Sequence, residues 1–202
     1  MNQQILNVAF EEDTDPDAIL SMKEALSVFG EEVSFHALPK RGPQASILLL
    51  TMSSVVLVFG VSFAKKFGEK SAEATWQLVE KGLSKLYTKY FGESPEHRIY
   101  YVASSEKKLP NTKYSLTLSL LCTGSKGEQI KFIYETKWSQ AQFNKATRAY
   151  LRAMPEFTSN SIGVIQDLIE KHPTRVSPFL IAWDADSEEL IFVNVMPAAS
   201  GI

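Results

Sequence analysis

Residues Ile47–Ala64 contain no charged side chain, and the run passes directly into a charged, amphipathic stretch that ends near Tyr90. An uncharged segment of this length has to be shielded from water, by a bilayer or by the rest of a folded domain. As a helix it would extend roughly 27 Å, just within reach of the hydrocarbon thickness of a membrane. Thr51, Ser53, Ser54, Gly60 and Ser62 dilute its apolar character. Lys40 and Arg41 precede it and Lys65 and Lys66 follow, so no charge asymmetry orients it across a bilayer. A true span would also leave a head of about 45 residues to build a core alone, which is small for that task. The run is therefore read as the central buried helix of a domain, and membrane insertion of residues 47–64 is kept as an alternative.

Helical spacing supports that reading. Met52, Val55, Phe59, Phe63 and Phe67 recur at steps of three or four, and Trp76, Val79, Leu83, Leu86 and Tyr90 resume the pattern after the polar EKSAEAT. Gly60, Ala64, Gly68 and Ala72 fall on every fourth position, a small-residue ridge along which another element could pack closely or a second copy could dock.

The flanking regions read as mixed structure. Ile5, Val8 and Phe10 lie in a short strand that ends in EEDTD, and Asp15-Pro16 is an N-cap followed by proline at the first helical position. Ile19, Met22, Ala25, Leu26 and Phe29 give a helix stopped at Gly30, and Val33, Phe35 and Ala37 alternate through a second strand. Beyond Gly92 and Pro95, Arg98–Ala103, Tyr114–Cys122 and Gln129–Glu135 read as strands, the last two joined as a hairpin by TGSKGE. A helix is expected over Trp138–Met154, ending at Pro155, and a short one over Ser161–Lys171 with Ile162, Ile165, Leu168 and Ile169 on one face. PFLIAWD and LIFVNVM close the chain as two strands around ADSEE. The expected fold is a single α+β domain over residues 1–202: an N-terminal strand–helix–strand, a long central buried helix, then antiparallel strands with two helices. Any subdomain boundary falls near residues 92–96.

A formal net charge of -2 lacks the basic excess of a general nucleic-acid binder. The one cysteine, Cys122, excludes a disulfide framework within the chain and lies in an apolar strand, where it reads as a small buried hydrophobe. The acidic N-terminal segment lacks the basic and apolar regions of a signal peptide, so a cytoplasmic setting is expected.

Chemistry-bearing patterns are few. Glu135-Thr136-Lys137 ends a hairpin strand directly before a helix. On a strand, residues two apart share a face, so a carboxylate could hold a divalent metal while a lysine polarises the attacking water. The stretch Tyr114–Met154 resembles the core of PD-(D/E)xK metal-dependent nucleases, which implies Glu135 and Lys137 as catalytic, Glu80 as an upstream helical acid, and a divalent metal. It departs from that pattern in YSLTLSLLC, which lacks the expected aspartate and leaves only Glu128 in the turn. Glu11, Glu12 and Asp13, with Asp15 and Asp17, cluster after the first strand and are candidate metal ligands, against a plainer role as a solvated loop and helix cap. Asp184, Asp186, Glu188 and Glu189 form a second acidic turn. His36, His97 and His172 are scattered, and no nucleophile elbow, dinucleotide fingerprint or phosphate loop is present. Lys145, Arg148 and Arg152 share one helix face and could meet an acidic partner.

The sequence VVLVFGVSFAKKFGEKSAEATWQLVEKGLSKLY is similar in texture to small bacterial conflict-system proteins, the immunity and effector-associated modules, and that resemblance implies a binding role. The resulting expectation is a non-enzymatic binding protein, a defence or toxin-immunity component with a protein partner and a capacity to self-associate. It has no cofactor, and a divalent metal enters only with the nuclease alternative.

Overall fold

The computed structural model describes residues 6–39, 55–60, 77, 79–84, 87, 91–92, 113–173 and 177–194. Its described strands form one mixed sheet of seven, in the spatial order β2-β1-β3-β4-β5-β6-β7. The strands are β1 (Leu6–Glu11), β2 (Val33–Leu38), β3 (Val55–Phe59), β4 (Tyr114–Thr123), β5 (Gln129–Glu135), β6 (Phe179–Trp183) and β7 (Leu190–Phe192). The coarse expectation of an α+β fold is met.

The head follows its expected order of strand, helix and strand, but the α-helix ends at Leu26 and a 3-10 segment, Ser27–Glu32, runs past Gly30 instead of stopping there. Asp15 Oδ1 accepts from the backbone N–H of Asp17 at 2.8 Å and of Ala18, and Pro16 opens helix α1 (Pro16–Leu26). Ala18, Ile19, Met22 and Leu26 turn inward from α1 onto Leu6 and Val8. β2 then runs parallel to β1, with Leu6 opposite Val33.

The central expectation fails. Val55–Phe59 is a strand, hydrogen-bonded antiparallel to β1 and parallel to β4, so the long helix predicted over residues 47–64 is absent there. Val55, Leu57 and Phe59 are buried while Val56 and Val58 are half-buried, a period of two instead of 3.6. Three valines in five residues favour this outcome, because branched side chains fit a pleated surface better than a helix. Gly60 follows that strand and so forms no helical ridge; Ala64, Gly68 and Ala72 lie outside the described residues, as does the candidate strand Arg98–Ala103. Among the described residues no helix is long and apolar enough to cross a membrane.

The amphipathic stretch after the run is helical where it is described. Val79, Leu83 and Tyr87 are buried, and a Cβ placed on Gly82 would stand 3.4 Å from the Ala25 Cβ. That glycine lets the segment lie closely against α1. Gly92 N–H donates to Thr136 O at 3.2 Å, and Thr136 N–H donates to Lys113 O at 2.9 Å. Gly92 and Lys113 thus both meet Thr136, and β3 and β4 from either side of residues 92–96 are paired neighbours.

Helix α2 (Gln140–Thr158) begins with a capping box, Ser139 accepting from Gln142 N–H while the Gln142 side chain accepts from Ser139 N–H at 2.8 Å. It does not stop at Pro155. Proline there removes one backbone donor, but Phe157 and Thr158 beyond it are buried, and the Thr158 hydroxyl donates to Met154 O at 2.9 Å. Packing therefore carries the helix one further turn. α3 is shorter than expected, Val164–Lys171, and Ile162 lies outside it and projects into solvent.

One sheet face packs against these helices through Phe132, Tyr134, Ile181 and Trp183 on the strands and Phe143, Tyr150 and Met154 on α2. The opposite face holds a smaller cluster of Ile133, Leu180, Ala182 and Val193. Tyr150 ties the first layer together: its hydroxyl donates to Ile133 O at 2.7 Å and accepts from Trp183 N–H at 2.9 Å, so one buried side chain joins α2, β5 and β6. Replacement by Tyr150→Phe keeps the ring and leaves two buried backbone groups without their partner. It should destabilise the fold by about 1–3 kcal/mol, measured as a lower urea midpoint with an unchanged slope.

Burial also pushes the Cys122 thiol and the Tyr134 and Tyr150 phenols above their ordinary pKa values. Folded chains then keep protons that unfolded chains release, so stability falls as pH rises through the unfolded values, about 8.5 for cysteine and 10 for tyrosine. The urea midpoint should be level near neutrality and drop above about pH 9. In Cys122→Ala the early part of that drop should disappear, leaving only the tyrosine part.

Candidate functional site

The turn after β5 does not put Glu135 and Lys137 on one face. Glu135 is the last strand residue, Thr136 and Lys137 form a turn, and the Lys137 side chain is exposed. The cation at Glu135 is Lys113 instead, with Nζ 3.0 Å from Oε1. The Glu135 carboxylate is 17% exposed and the Lys113 side chain 59%, so a covered acid is held by a reachable ammonium. Lys113 Nζ also lies 5.5 Å from the centre of the Tyr114 ring, and Tyr114 stands directly opposite Glu135 across the strand pair.

Asp184 joins this group. It follows β6, the parallel neighbour of β5, and its charge acts on both Lys113 and Tyr114. The hydrogen bond to Glu135 raises the Lys113 pKa above its ordinary value, partly opposed by burial, with Tyr114 and Asp184 adding to the rise. Burial raises the Tyr114 phenol. Lys113, Tyr114, Glu135 and Asp184 thus form a cluster at the C-terminal ends of two parallel strands, the edge where open α/β sheets commonly receive ligands.

Two of these residues were out of reach of sequence reasoning for a specific reason. Continuing the regular hairpin pairing from Ser119 opposite Ile133 would place Thr117 against Glu135; an irregularity between Tyr114 and Ser119 shifts the register and brings Tyr114 there. Asp184 was visible only as one acid in a turn. The parallel pairing of β6 with β5 is what carries it to the strand end near Glu135.

Glu80 is elsewhere. Its carboxylate accepts from Arg148 Nε at 2.9 Å and Nη2 at 3.0 Å, a two-pronged pair between the helical segment 79–84 and α2. Glu135 and Glu80 are therefore each engaged with a cation of this chain, and Glu128 is exposed in the hairpin turn, bonded to Lys126 N–H at 3.1 Å. Among the described residues no group of three or more His, Cys, Asp or Glu side chains is placed to hold a metal ion. Glu11 is buried at the end of β1, while Glu12 and Asp13 are exposed in the turn that follows.

The three basic residues of α2 do share a solvent-facing row, as their spacing of three and four requires. Lys145 Nζ meets Glu188 at 2.5 Å, beyond β6, and Arg148 meets Glu80. Arg152 is exposed and has no ionic partner among the described residues. His36 is exposed on β2, where its Nε2 lies 2.8 Å from Ser34 Oγ, and is no core residue. Asp184 Oδ1 accepts from Asp186 N–H at 2.9 Å and shapes the β6–β7 turn.

The chain was compared with models of known families, with curated proteins and with solved structures, and it matches none.

The Arg148–Glu80 pair is the better oriented of the two row pairs, yet its arginine is 58% exposed. Water and salt then limit its worth to roughly 0.2–1 kcal/mol. A double-mutant cycle of Arg148→Ala and Glu80→Ala should return a coupling in that range that shrinks in high salt. A salt-independent coupling well above it would mean that the pair is a structural clamp.

Proposed function

We propose that this chain is a non-enzymatic binding protein that meets a protein partner through the solvent-facing row of α2. One observation carries the reading. Lys145, Arg148 and Arg152 all lie on one exposed face of a helix whose opposite face is locked into the core by Phe143, Tyr150 and Met154. A rigid helix presenting ordered cations is a ready surface for carboxylates. Two of the three already hold carboxylates of this chain at 2.5 and 2.9 Å, and both cations are more than half exposed, within reach of a partner's acid.

The resemblance to conflict-system proteins rested on a helix that is a strand at Val55–Phe59, so the binding role is argued from α2 instead. The nuclease alternative draws support from the hairpin β4–β5 followed by α2, the arrangement its resemblance implied. Its candidate residues are apart, with Glu135 held by Lys113, Glu80 by Arg148, and Lys137 turned to solvent.

The two readings separate in one assay. Purified chain incubated with Mg²⁺ or Mn²⁺ should leave DNA and RNA uncut beyond a buffer control. Metal-dependent cleavage that disappears in Glu135→Ala would overturn the binding reading.

A further inference from the structure

We draw no further inference here: the strongest candidate, the side-chain cluster of Lys113, Tyr114, Glu135 and Asp184 at the C-terminal ends of β5 and β6, belongs to the site already described, where this chain's own Lys113 holds Glu135 and nothing in the structure shows a ligand.

Discussion

The architecture depends on one hydroxyl. Tyr150 reaches from α2 to the seam between β5 and β6, where the paired residues run from Ile130 opposite Phe179 to Phe132 opposite Ile181. Beyond those pairs, the hydroxyl serves Ile133 O and Trp183 N–H from a helix instead of from a strand. A buried polar bridge of this kind is directional, so it fixes the rotation of α2 as well as its distance from the sheet. The surrounding rings reinforce the setting: Phe132 stacks on Tyr150 with centroids 4.7 Å apart, and Tyr134 stacks on Phe143 at 4.6 Å. With the inner face of α2 fixed in rotation, its outer face has no freedom either, and the basic row inherits that order.

How much of this was legible in the sequence varied with how local the signal was. Asp15-Pro16, the alternation in Val33–Leu38, the hairpin around TGSKGE and the final pair of strands each carry their own cue within a few residues, and each appears where expected. Val55–Phe59 carries an ambiguous one. A short uniformly apolar run satisfies helical and strand spacing alike, and its strand state is decided by β1 and β4, which are distant in sequence. The same holds for Pro155, a local stop signal that the burial of Phe157 and Thr158 overrides. Ile162 fits the apolar face of a helix on paper, and only the helix start at Val164 reveals that it lies outside.

The candidate site was legible in part for a related reason. Glu135 could be named from its strand end, and Lys145, Arg148 and Arg152 from their spacing. The identity of each acid's partner could not, because Lys113 meets Glu135 through an irregular register and Arg148 meets Glu80 from another helix. Carboxylates that look available along a chain are often already occupied in space. Pairs between side chains far apart in sequence are set by tertiary packing, which leaves no local trace.

The two hydrogen bonds at Thr136 have a consequence for how the chain is tied together. Gly92 and Lys113 are both fastened to that residue, one through its carbonyl and one through its amide. Two points distant along the chain are therefore held together at the end of β5. Closing a longer span costs only about 0.6 kcal/mol for each doubling. A change in the length of chain between Gly92 and Lys113 is thus inexpensive in closure entropy, provided both hydrogen bonds at Thr136 are kept.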